Sequence, residues 1–152
     1  MPHSPPIARL PSGKVLYRPG DACPGFVVVH EGTVKVSLTA ENGREIVLYR
    51  VRPGDVCLQT FGCLINGSRY SAEAVTESEV AIEIVPAGEF QSRVVEDGAF
   101  RQQLFAAVAA RFADLERLVE DVALPSLDAR LARALLRLAD ECIRELLYIE
   151  EY

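Results

Sequence analysis

The chain has little histidine, no closely spaced cysteine pair and no long apolar run, and each shortage removes a class of function. Its two histidines, His3 and His30, stand far from any clustered ligand set. Neither the converging imidazoles of a cupin-type metalloenzyme nor a histidine-assisted Ser or Cys nucleophile can be assembled from them. No enzymatic activity and no metal site are expected. The four cysteines, at 23, 57, 63 and 142, contain no CxxC pair and read as free, mostly buried thiols. No apolar run approaches the length that spans a bilayer, and the opening MPHSPPIARL has neither a basic n-region nor an apolar h-region. A cytoplasmic protein without membrane contact is expected. Basic residues are also outnumbered: 16 Lys and Arg against 22 Asp and Glu give a net charge of −6, with no global attraction for nucleic-acid phosphates.

What the chain does have is an ordinary globular composition, 49% hydrophobic and 25% charged over 152 residues. That is enough for one domain with a real core and one or two appended helices. From Lys14 to Ile84 short β-type runs alternate with turn residues, which predicts an antiparallel sandwich or roll. Asn42-Gly43, between Val34–Leu38 and Ile46–Tyr49, is a hairpin signal. Arg18-Pro19-Gly20-Asp21 and Arg52-Pro53-Gly54-Asp55 are near-copies. They mark either equivalent corners of a folded-back ribbon or simply recurrent Pro-Gly turn chemistry.

After Pro86 the pattern becomes helical. Ala87 to Val95 predicts a short helix, Glu96-Asp97-Gly98 a break, and the following stretch a long helix to Leu124. Within it Phe105, Val108, Phe112, Leu115, Val119 and Val122 follow a/d heptad spacing with charged residues on both flanks. This spacing predicts a parallel homodimeric coiled coil. Leu124-Pro125 ends that helix and Ser126 is placed to cap another, through Leu131, Leu135, Leu138, Cys142, Leu146 and Ile149, so Leu124, Pro125 and Ser126 form an elbow. The segment from Ser126 onward carries four Arg against six acidic residues, so it offers no basic patch.

The stretch Gly54–Ala72, GDVCLQTFGCLINGSRYSA, has the frame of a cyclic-nucleotide phosphate-binding cassette. With it come Tyr17-Arg18-Pro19-Gly20-Asp21, the glycine of His30-Glu31-Gly32-Thr33-Val34-Lys35-Val36, and Asp128-Ala129-Arg130-Leu131-Ala132 beyond the elbow. In this order the chain resembles, over nearly its whole length, the bacterial cyclic-AMP receptor and fumarate–nitrate regulator (Crp/Fnr) superfamily of transcription regulators.

The resemblance implies an α+β fold: an antiparallel β-roll, of the double-stranded β-helix kind found in cyclic-nucleotide-binding domains, followed by a long dimerisation helix and a further C-terminal helix. It implies a sensing domain over 1–97, a dimerisation helix over 98–124, and over 126–152 the first helix of a DNA-binding domain. Effector binding in the roll would be coupled through the helix to a winged helix-turn-helix reading the major groove. That DNA reader is not represented up to Tyr152, so DNA contact is expected only if a helix-turn-helix follows. The alternative is a stand-alone dimerising regulator acting through a protein partner.

The resemblance also places a ligand pocket at Gly54, Asp55, Arg69, Tyr70, Ser71 and Ala72, with altered chemistry. Asp55 stands for a glutamate that holds the ribose. Tyr70 stands for an arginine that neutralises the cyclic phosphate, and Arg69 lies one place early. Leu115 and Glu116 stand where cyclic-AMP binders present small hydroxyl residues to the base. These changes disfavour cyclic-nucleotide binding and leave the effector open. Cys57 and Cys63 are candidates for a redox pair or for contacts to a diatomic-sensing cofactor. An iron–sulfur cluster is not expected, since only Cys23 precedes the cassette.

Overall fold

The computed structural model describes residues 6–123 and 126–150, the last four of these by backbone alone. The chain divides into two compact units, Met1–Ala109 and Ala110–Tyr152.

Among the described residues of the first unit, seven strands form two antiparallel sheets. One has the order β1 (Ala8–Leu10), β7 (Val80–Val85), β3 (Phe26–Glu31); the other has the order β2 (Val15–Tyr17), β6 (Glu73–Thr76), β4 (Val34–Thr39), β5 (Glu45–Val51). Their inward residues, Val27, Val29, Val34, Val36, Val51, Val80 and Ile82, are buried in one core. β-branched side chains suit such a pleated, two-sided interior. The β4–β5 hairpin turns at Asn42-Gly43, with Gly43 at φ +79°, the Asn42 side chain accepting from the Arg44 N–H, and Ala40 pairing with both Gly43 and Arg44. The β3–β4 turn is tighter. Gly32 sits at φ +81°, and a Cβ there would run into the Glu79 carbonyl.

The two Arg-Pro-Gly-Asp sequences fold alike. In each, the Asp carboxylate accepts from the Arg backbone N–H (2.8 Å at Asp21, 2.9 Å at Asp55), the Asp N–H bonds back to the Arg carbonyl, and the Gly has φ near +85° (Gly20 +88°, Gly54 +85°). They are corners of one type, with Pro pre-set at the second position and Gly supplying the positive φ at the third.

Helix α1 (Leu58–Asn66) follows the second corner and ends at Gly67, whose left-handed φ of +66° lets its N–H close on the Cys63 carbonyl. Helix α2 (Ala87–Glu96) and the start of α3 (Gly98–Ala123) bury a second core of Phe26, Val56, Val85, Phe90 and Leu104, with Phe61, Phe100, Ala107 and Val108 packed against it. Asp97 breaks α2 from α3, and its Oδ1 accepts from the Phe100 N–H at 3.0 Å, capping the longer helix. One charged residue lies inside: Glu83 on β7 is 7% exposed, and its carboxylate pairs with His30 on β3 and Arg93 on α2, each at 2.9 Å. A buried carboxylate is tolerated when both oxygens are engaged in this way.

The first compact unit continues to Ala109, because Phe100, Leu104, Ala107 and Val108 of α3 pack into the second core. For the same reason Val108 is not free for a dimer seam along its whole side chain. The other seam positions are more than half exposed: Phe105 60%, Phe112 62%, Leu115 52%, Val119 68% and Val122 72%, with Leu118 beside them at 54%.

In the second unit, the end of α3 and helix α4 (Leu127–Glu150) are tied by ion pairs, Arg133 to Glu120 at 3.1 Å and Arg137 to the buried Asp121. Ser126 caps α4, its Oγ accepting from the Ala129 N–H at 3.2 Å. Leu124 and Pro125, the other two elbow positions, lie outside the described residues, as does the Ile149 side chain. Among the described residues no helix is long and apolar enough to cross a membrane.

Candidate functional site

The cassette begins where the second corner delivers the chain into α1. The Asp55 carboxylate closes the corner, accepting from the Arg52 N–H. The polar side chain at the start of α1 is instead Gln59. Its Oε1 accepts from the Ser71 backbone N–H at 3.0 Å, and its amide nitrogen donates to Ser71 Oγ at 3.1 Å. The Gln59 backbone N–H, one of the helix-start donors, is taken by the Tyr49 hydroxyl at 3.1 Å. Two backbone donors of the cassette, the Gln59 and Ser71 N–H groups, are thus paired within the chain.

The closing segment is also internally committed. Arg69 Nη1 donates to the Gly20 carbonyl at 2.9 Å, so the one-residue offset directs the guanidinium to the first corner. Tyr70 follows, with its backbone joined to that corner on both sides: its carbonyl accepts from Gly20 N–H and its N–H donates to the Asp21 carbonyl. Its ring is 3% exposed and stacks on Tyr17, centroids 3.8 Å apart and planes 12° apart. Ala72 is fully buried beside it in the roll core. Burial pushes both phenols well above the ordinary tyrosine range, with neighbouring thiols adding to it.

Thiols surround this tyrosine pair. The Tyr17 hydroxyl lies 3.3 Å from Cys57 Sγ, and the Tyr70 hydroxyl donates to Cys23 Sγ at 3.4 Å. Burial pushes the Cys63 thiol up, with the nearby Cys23 and Cys57 adding to it. Of the candidate pair Cys57 and Cys63, the Cys57 thiol is engaged by the Tyr17 hydroxyl. Cys23, Cys63 and Arg69 line an open cleft of about 350 Å³ on the outer side of this cluster. Among the described residues no group of three or more His, Cys, Asp or Glu is arranged to hold a metal ion.

Of the six pocket positions taken from the sequence, Gly54 and Asp55 form the corner, Arg69 and Tyr70 the closing clamp, and Ala72 the core. Ser71 is held by Gln59, a partner that was missed. A glutamine at a helix start carries no distinctive spacing, and its partner lies twelve residues on.

Comparison with known proteins agrees with this architecture. Residues 7–97 match the family model described as cyclic nucleotide-binding domain. The chain is 27% identical over 134 residues to the global nitrogen regulator of Synechococcus elongatus, covering 86% of this chain and 59% of the relative. It therefore spans less than two thirds of that protein's length. A Crp/Fnr-family transcriptional regulator from Thermus thermophilus superposes with a TM-score of 0.68 at 26% identity, covering 88% of this chain and 64% of the other. The c-di-GMP responsive global regulator of Xanthomonas campestris shares the fold, with a TM-score of 0.69 at 20% identity and coverage of 87% and 66%. The chain belongs to the cyclic nucleotide-binding domain family, in the Crp/Fnr-like form in which the β-roll leads into a long helix.

Proposed function

We propose that this chain is the sensory and dimerising region of a Crp/Fnr-type transcription regulator whose roll responds to an effector other than cyclic AMP or cyclic GMP. The observation that carries the effector part is the self-paired cassette. Gln59 occupies Ser71, Tyr49 occupies the Gln59 N–H, Arg69 is bonded to Gly20, and the Tyr70 ring fills the interior. A cyclic phosphate entering there would have to displace these contacts without gaining a charge-assisted partner from position 70. The regulatory part rests on the likeness to the nitrogen regulator and the Thermus protein.

In this reading the exposed line Phe105, Phe112, Leu115, Val119 and Val122 pairs with the same line of a second copy. An effector biases the tilt of that pair, and the elbow at Leu124, Pro125 and Ser126 passes the change to α4, the first helix of a DNA-binding domain. Titration calorimetry with cyclic AMP and cyclic GMP, together with an absorption spectrum for haem or iron–sulfur bands, tests the effector assignment. No heat and no visible bands are expected. Micromolar binding of either nucleotide would overturn it.

A further inference from the structure

We propose that Cys23 and Cys63 are a thiol pair that hydroperoxides convert to an intramolecular disulfide, making the outer cleft a redox modification site. Two observations place the cysteines near each other across the sequence. Cys23 Sγ lies 3.9 Å from the carbonyl of Thr60, one turn earlier on the helix that carries Cys63, and Cys23 is among the groups that push the Cys63 thiol up. Both line the cleft, with unequal access. Cys23 is half-buried at its wall, whereas Cys63 lies behind it at 5% exposure. That asymmetry divides the roles: Cys23 meets the oxidant and Cys63 resolves.

The Cys23 sulfur attacks one peroxide oxygen, the O–O bond breaks, and water or an alcohol leaves with the thiol proton. Cys23 is oxidised by two electrons to a sulfenic acid and the peroxide is reduced. The Cys63 sulfur then attacks the Cys23 sulfur; an S–S bond forms, the S–O bond breaks, and the departing hydroxide takes the Cys63 proton as water. Cys57 is the natural competitor, but its thiol is held by the Tyr17 hydroxyl on the inner side of the cluster.

The crosslink would tie the segment after the first corner to the C-terminal half of α1. The first of these is already joined to Tyr70, which donates to Cys23 and whose backbone is clamped by Gly20 and Asp21. Oxidation therefore adds a covalent lock to the closed cassette, and reduction removes it.

The test exposes the Cys142→Ser chain, which removes the exposed thiol on α4, to hydrogen peroxide and maps its peptides by mass spectrometry without reduction. The expected result is one linked pair, Cys23 with Cys63, lighter by two hydrogens and restored by dithiothreitol. In a Cys63→Ser variant, dimedone should label Cys23 as its sulfenic acid. A Cys57–Cys63 link, irreversible oxidation of Cys23 without any link, or three thiols still free after peroxide would each overturn the proposal. The linkage map of the Cys142→Ser chain decides this even if Cys63→Ser fails to fold.

Discussion

The rings of Tyr17 and Tyr70 lie face to face, centroids 3.8 Å apart, and each hydroxyl reaches a different cysteine, Cys57 and Cys23. The pair joins β2 to the segment that closes the cassette, in a core otherwise made largely of valine and alanine. Replacing Tyr70 by Phe keeps the stack and removes one weak hydrogen bond, so the loss of stability should stay within about 1 kcal/mol. Tyr70→Ala removes the buried ring and should cost roughly 3–5 kcal/mol. Urea denaturation compares the two. Equal losses would show that the stack contributes nothing.

The same burial gives a pH signature. Both phenols titrate higher in the folded chain than in the unfolded one, so the unfolded state releases their protons first as pH rises. Their contribution is intact below the unfolded pKa, about 10, and stability should decline above it. The slope should shrink in Tyr17→Phe and Tyr70→Phe. A stability curve as steep in the double variant as in the parent would refute this assignment.

Gln59 should be dispensable for folding and decisive for closure. Its bonds to Ser71 lie at the surface, so Gln59→Ala should lower stability by less than about 1 kcal/mol, water replacing the amide. Hydrogen exchange at the Ser71 amide should nevertheless accelerate well beyond what that loss explains. Unchanged protection at Ser71 would mean that the glutamine does not hold the cassette shut.

The exposed line on α3 should specify association. Phe112→Glu with Leu115→Glu places charges in the middle of the proposed seam, while both side chains are more than half exposed within a single chain. The expected outcome is a monomer with an unchanged melting temperature for the roll. Sedimentation equilibrium reads the first and circular dichroism the second; a dimer that persists would dismiss the seam.

Glycine substitutions separate two causes that share one backbone angle. Gly32 and Gly43 have φ of +81° and +79°, but a Cβ meets the Glu79 carbonyl and Ser78 at the first and nothing within 4 Å at the second. Gly43→Ala should cost about 1 kcal/mol, the penalty of the left-handed region alone. Gly32→Ala should cost at least ~3 kcal/mol, since the β3–β4 turn must also move away from the Glu79 carbonyl. Similar midpoints for the two in urea would remove the steric argument.

Features decided by a few neighbouring residues were readable in the sequence. The Asn42-Gly43 hairpin, the break before Gly98 and the Ser126 cap depend on local backbone preferences, and each is where those preferences put it. What escaped depends on residues far apart. β1 is three residues long and exists by pairing with β7. Cys23, on a loop, and Cys63, on a helix, line one cleft without any spacing rule. On α3, heptad spacing identified an apolar line but not which side turns to the roll. Leu104, outside the heptad, is the buried residue, and Val108, inside it, packs against the same core. At the cassette the family frame located the right segment, while Asp55 and Arg69 turned out to serve the corners beside it.

The twin corners have a mechanical consequence. One copy, at Arg52–Asp55, launches the cassette; the other, at Arg18–Asp21, grips its far end through Arg69 and Tyr70. The segment is thus hung between two stiff brackets of identical geometry, each fixed by a proline, a glycine and its own carboxylate. Any compliance must reside in what lies between them. Helix α1, whose Gln59 holds the closing segment through Ser71, is the span between them.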